Sequence, residues 1–148
     1  MQTFLPYADY EKSAQALDRQ RLGKQRVEAM QIFKALLAEY EGTDYGWKNH
    51  PATRMWRGHA MSLANYAIIM CVEWMGRGYE DTCSRKISDL RLQIIKYEPE
   101  VKPPCWLGDE AFHDSHKSNL LRKLPAHYSQ FGWEVSDALP YVWPSPKE

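Results

Sequence analysis

Arg21-Leu22-Gly23-Lys24-Gln25-Arg26-Val27-Glu28-Ala29-Met30-Gln31-Ile32-Phe33-Lys34-Ala35-Leu36-Leu37-Ala38-Glu39-Tyr40 is the stretch whose reading decides the fold. From Lys24 onward, Val27, Met30, Phe33, Leu37 and Tyr40 recur at the spacing of one helix face. Gly42 and Gly46 close that pattern. Gly23 interrupts it at the other end, so a separate, shorter helix is expected upstream. Asp9 is its natural cap, and Ala14, Leu17 and Tyr10 are candidates for its inner face. Between the two helices, Arg21–Arg26 reads as a basic turn. Arg19, Arg21, Lys24 and Arg26 fall within eight residues. Free N–H groups at the start of the next helix would favour an anion there. Cations at that end work against the helix dipole, and residues that break a local rule often serve function.

Outward from this stretch the chain keeps a helical pattern. Met61 to Trp74 is the most apolar segment and reads as the central helix, closed by Gly76 and Gly78. Cys83 to Tyr97 carries Ile87, Leu90, Ile94 and Tyr97 at helical spacing, and Pro99, Pro103 and Pro104 make an extended link. A helix is expected over Glu110 to Lys123. Pro125 suits the first turn of a last short helix that stops at Gly132. The expected fold class is all-α: one compact helical domain over residues 1–148, with an extended, aromatic- and proline-rich C-terminal tail.

Composition sets bounds on function. With 44% hydrophobic and 13% aromatic residues, 148 residues can build a core without disulfides or metals. Cys71, Cys83 and Cys105 are an odd, widely spaced set, which suits reduced thiols and a cytoplasmic setting. The longest apolar run, Tyr66–Val72, is far too short for a bilayer, and no secretory signal opens the chain. The formal net charge is +0, from 19 basic and 19 acidic residues. Any contact with nucleic acid must therefore use a local patch.

Two further constellations could carry chemistry. Tyr45, Trp47, His50, Arg54, Trp56, Arg57 and His59 mix aromatic, cationic and imidazole groups around an ordered loop. Such a mixture can stack bases and hold phosphates, although the same aromatics could simply pack on the core. Trp56 fits the core better, and Trp47 and His50 fit a site better. On the helix after Trp106, His113 and His116 share a face with Asn119 and Lys123, which suggests a polar helix lining a groove. The histidine spacing matches no standard zinc pattern, so neither a metal nor another cofactor is expected. Tyr128, Phe131, Trp133, Tyr141 and Trp143 read mainly as packing.

These segments together resemble a known family. Thr3-Phe4-Leu5-Pro6-Tyr7, Leu17-Asp18, Arg21 to Glu28, Asn49-His50-Pro51, Met55-Trp56, Arg77-Gly78-Tyr79, Trp106-Leu107-Gly108-Asp109, His116 to Leu120 and Leu139 to Pro144 are similar to a branch of small bacterial and phage proteins. That branch belongs with the pyrimidine-dimer DNA glycosylases of the phage endonuclease V type. The resemblance implies an N-glycosylase for damaged or modified pyrimidines in DNA, with linked abasic-site lyase chemistry. Its nucleophile would be the N-terminal α-amine, here that of Met1. An α-amine ordinarily titrates at about 7.7–8.0, so much of it is neutral and nucleophilic near pH 7.

The family's catalytic glutamate stands beside the arginines, where this chain has Gly23. Glu28 and Asp18 are the nearest carboxylates and the candidates for the acid/base role. Arg21, Lys24, Arg26, Trp47, His50, Arg54, His116, Lys117 and Asn119 are the candidates for holding the nucleic acid. The expected partner is DNA, or a nucleotide-like ligand, without membrane contact, and the expected state is a monomer or weak oligomer. Two other readings use the same residues. One is a non-catalytic module that binds a nucleotide, modified base or nucleic acid in the same basic cleft. The other is a protein-interaction domain with the aromatic tail as its contact surface.

Overall fold

The computed structural model describes residues 1–144. Seven α-helices are present among them, and no strand: α1 (Tyr10–Ala16), α2 (Arg19–Glu41), α3 (Pro51–Arg54), α4 (Ala60–Gly76), α5 (Cys83–Ile94), α6 (Glu110–Lys123) and α7 (Pro125–Tyr128). A 3₁₀ turn, Ser129–Phe131, follows α7. Pro146 of the expected tail lies outside the described residues. No helix among them is long and apolar enough to cross a membrane.

Local chemistry sets several of the ends. The Lys12 N–H donates to the Asp9 carboxylate at 2.9 Å and caps α1. Gly42, in the left-handed region at φ 71°, ends α2. Pro51 starts α3, where His50 Nδ1 accepts from the Ala52 N–H at 3.0 Å. Arg77 closes the other end of α1, donating to the carbonyls of Ala14 at 3.1 Å and Gln15 at 3.2 Å.

The basic stretch is not a turn. Asp18 is the N-cap of α2, and the helix runs from Arg19 straight through Gly23. Glycine is there for packing. A Cβ on Gly23 would lie 3.1 Å from two ring carbons of Trp74. That indole is held by a stack on Tyr79 at 4.3 Å, by the Arg26 guanidinium at 4.4 Å and by its own N–H bond to the Glu80 carbonyl. Gly23→Ala should therefore lose about 1 kcal/mol net in chemical denaturation. The alanine gains about 1 kcal/mol of helix propensity, but overpacking against a clamped ring costs roughly 1–3 kcal/mol. A more stable variant would show that Trp74 is free to move.

α2 packs mainly on α4 and α5. Its buried side includes Leu22, Ala29, Met30, Ile32, Phe33, Leu36 and Leu37. Val27 and Tyr40, expected on that side, are exposed instead. Tyr40 stacks on Tyr97 at 4.8 Å, outside the core. Trp56, Tyr66, Phe112 and Tyr128 are buried whole and fill the space between helices.

The N-terminal segment is extended, and residues 2–6 are buried. Its backbone has no ladder to join, so side chains must satisfy it. Gln25 Oε1 accepts from the Phe4 N–H at 2.8 Å, and Tyr66 offers its hydroxyl to the Phe4 carbonyl at 2.9 Å. His116 Nδ1 accepts from the Leu5 N–H at 2.9 Å. His113 Nε2 accepts from the Gly108 N–H, so its Nδ1–H donates to the Leu5 carbonyl at 2.7 Å. The Ser13 hydroxyl serves both backbone groups of Tyr7, and Trp56 Nε1 donates to the Thr3 hydroxyl at 3.0 Å.

This wiring makes the fold acid-sensitive. Burial, then the neighbouring His113, pulls the His116 imidazole down to about 3. Burial also lowers His113, partly opposed by the Leu5 carbonyl. Both are neutral in the folded protein and take protons more readily when unfolded. Stability should be complete above about pH 6.5 and fall as pH drops from there toward 3, by at most about 1.4 kcal/mol per pH unit through His116, with His113 acting in the same direction. Urea midpoints at pH 7.5 and pH 5 check this; equal midpoints would contradict it.

Candidate active site

With 3.6 residues per turn, Arg21 and Glu28 stand two turns apart on one side of α2, with Lys24 and Gln25 between them. Gln25 is buried and ties this face to the N-terminal segment. Its amide N donates to the Gln2 carbonyl at 3.0 Å and to Glu28 Oε2 at 3.3 Å. Its amide O accepts from the Phe4 N–H and lies 2.6 Å from the Tyr66 hydroxyl. The Gln2 N–H donates to Glu28 Oε2 at 3.2 Å. The carboxylate of Glu28 is thus bonded to the residue that directly follows the terminal Met1.

Met1, Gln2, Phe4, Gln20, Arg21, Lys24, Gln25, Glu28, Lys123 and Tyr141 line one cleft of about 300 Å³. It holds an amine, a carboxylate, three cations and two aromatic rings. His50 does not line the cleft but feels two of its charges. Burial lowers the imidazole pKa, the terminal amine pushes it the same way, and Glu28 opposes them. The cleft can place an amine nucleophile and a carboxylate together and accept an anion at its rim.

The other candidate residues divide. Asp18 is almost buried; its carboxylate accepts from the Tyr128 hydroxyl at 2.5 Å and from Arg21 Nη1 at 3.2 Å. Burial raises its pKa, but those two partners outweigh it and hold the carboxyl below its usual range. Both oxygens are engaged and Asp18 does not line the cleft, so it positions Arg21. Arg26 points away, into an ion pair with the buried Asp81 carboxylate and against Trp74. Burial favours the neutral form of Asp81, yet the Ser84 and Cys83 N–H groups and Arg26 hold it down to about 2. Arg26 therefore cannot share a phosphate with Arg21 and Lys24.

The expected groove on α6 is filled by the protein itself. His116 is fully buried between Phe4, Phe112 and Tyr141. Asn119 is buried and donates to the carbonyls of Ser115 at 2.7 Å and Leu139 at 3.1 Å. Neither reaches a ligand; one holds the N-terminal segment and the other the C-terminal tail. Lys117 lies over Tyr7 at 5.3 Å and Trp133 at 6.0 Å and does not line the cleft. Trp47 is exposed and meets His50 edge-on at 5.7 Å, while Arg54 is exposed at the end of α3.

Gln20, Gln25, Lys123 and Tyr141 belong to the cleft but not to the residues singled out from the sequence. The first two read there as neutral neighbours of the arginines. Helical spacing alone puts Gln25 beside Glu28. Nothing local foretells that Lys123 and Tyr141 share a cleft with α2.

No curated protein and no solved structure matches the chain. A family model described as pyrimidine dimer DNA glycosylase matches residues 1–87. The matched segment contains Met1, Gln2, Phe4, Gln20, Arg21, Lys24, Gln25 and Glu28, which is most of the cleft, and also His50. Since the model covers more than half of the sequence, the chain belongs to the pyrimidine dimer DNA glycosylase family.

Proposed function

We propose that the protein is a DNA glycosylase with linked abasic-site lyase activity, acting on damaged or modified pyrimidines through the Met1 amine. The observation that carries this reading is the meeting of the terminal residue, the Glu28 carboxylate and the cations Arg21, Lys24 and Lys123 in one cleft. Gln2 is buried and bonded on both sides, so the end of the chain has a defined position rather than a frayed one.

The chemistry then runs in balanced steps. The amine lone pair attacks C1′ of the nucleotide, and the C1′–N glycosidic electron pair leaves with the base. Glu28 takes a proton from the new ammonium and returns it to the ring oxygen O4′ as the sugar opens to an imine. Loss of a proton from C2′ then expels the 3′ phosphate, which is the lyase step. Arg21, Lys24 and Lys123 hold the flanking phosphates, and Asp18 keeps Arg21 in place. The damaged nucleotide must leave the stack to reach Met1.

Sodium borohydride reduces such an imine to a stable secondary amine. The wild-type protein incubated with duplex containing an abasic site and borohydride should give a covalent protein–DNA band. A folded protein that gives no band would refute the mechanism.

A further inference from the structure

The C-terminal tail lies beyond the segment matched by the family model, yet it enters the cleft. Its backbone is fixed on both sides of Tyr141. The Leu139 N–H donates to the Ser118 hydroxyl at 2.9 Å, and the Val142 N–H donates to the Ser115 hydroxyl at 3.1 Å. Tyr141 is backed by Phe4 at 6.3 Å and by His116 at 5.7 Å, and it lines the cleft beside Met1 and Arg21. Trp143 continues the row at 5.6 Å from Tyr141 and meets His50 edge-on at 5.9 Å. Aromatic surface therefore runs unbroken from the Met1 cleft to the exposed loop. The cations that line the same cleft come from α2, in Arg21 and Lys24, and from the end of α6, in Lys123. The cations suit phosphate, and the rings suit a base.

We propose that Tyr141, continued by Trp143, is the stacking wall that receives the extruded nucleobase, so that the tail completes the substrate site begun by α2 and Met1. The ring is held before substrate arrives, which limits the ordering cost of binding. The proposal rests on the glycosylase reading of the Met1 cleft. It adds a residue set that recognises the base, separate from those that act on the sugar and phosphate.

A binding cycle tests it. Two duplexes of one sequence are compared, one with a mispaired thymine at its centre and one with a tetrahydrofuran abasic analogue there. Tyr141→Ala should weaken binding of the thymine duplex roughly tenfold, in line with the loss of one base–aromatic stack, and of the abasic duplex less than twofold. Tyr141→Phe should restore the difference, because the ring and not the hydroxyl makes the contact. Trp143→Ala should show a smaller change in the same direction. Equal weakening of both duplexes, no weakening of either, or a Tyr141→Phe variant that behaves like alanine would overturn the proposal. Borohydride trapping on a natural abasic site keeps the two readings apart. Wild-type protein that traps but shows no cycle refutes the stacking wall alone; wild-type protein that does not trap refutes the reading beneath it.

Discussion

Glu28→Gln should lower glycosylase and lyase turnover by roughly 10²–10⁴-fold, the usual contribution of a positioned acid/base, while leaving the fold and DNA affinity close to wild type. The substitution is conservative for structure. Glu28 accepts two hydrogen bonds on one oxygen, from the Gln2 N–H and the Gln25 amide. A glutamine carbonyl can accept both. What it cannot do is take a proton from the amine and give it to O4′. Single-turnover kinetics on lesion-containing duplex, with a parallel binding isotherm, separate the two effects. Asp18→Asn is the control carboxylate. It should weaken DNA binding through Arg21 and leave the chemical step much less affected. If Asp18→Asn instead reproduces the loss of turnover and Glu28→Gln does not, the acid/base assignment moves to Asp18.

Gln25→Ala should cost roughly 3–5 kcal/mol of stability and abolish activity with it. The change strips partners from the Phe4 N–H and the Gln2 carbonyl, both buried, while the Tyr66 hydroxyl keeps the Phe4 carbonyl. Each unsatisfied buried group costs about 1–3 kcal/mol, against a total of about 5–15 kcal/mol for a typical domain. The extended segment that carries Met1 would lose its main anchor to α2. Denaturant titration gives the stability, and protease sensitivity near the N-terminus reports release of the segment. A loss under 1 kcal/mol would show that the N-terminal segment is held by its other partners, without Gln25.

The parts legible in the sequence were those set by local chemistry. Asp9, Gly42 and the run Glu110–Lys123 mark helix ends by capping and backbone preference, and the helices end there. Gly23 shows the limit of that logic. A glycine within a charged run looks like a break, but here its missing Cβ makes room for Trp74, which lies 51 residues further along. Arg26 looks free to hold phosphate for the same reason: its partner Asp81 is 55 residues away. Gln25, His113, His116 and Asn119 look like surface or ligand-binding polar groups. They are buried because an extended peptide with no sheet to join needs side-chain partners, and no periodicity announces such a peptide.

The candidate site was legible in outline. The charged face of α2 and the terminal amine could be named from the sequence and its resemblance. Glu28 stood out only as the nearest carboxylate. The third dimension bonds that carboxylate to the residue after Met1 and brings Lys123 and Tyr141 to the cleft that α2 lines. It also takes Arg26, His116 and Lys117 out of the cleft. None of these long-range pairings leaves a pattern in the local sequence.

Locating the trapped adduct on the chain tests the central claim most directly. Three residues that line the cleft carry a primary amine: Met1 at its terminus, and Lys24 and Lys123 on their side chains. After borohydride reduction and nuclease trimming, peptide mass spectrometry should find the sugar remnant on the peptide that begins with Met1, on its α-nitrogen. N-terminally acetylated protein should give no adduct at all. A remnant on Lys24 or Lys123, or an adduct that survives acetylation, would contradict the assignment of Met1 as the nucleophile.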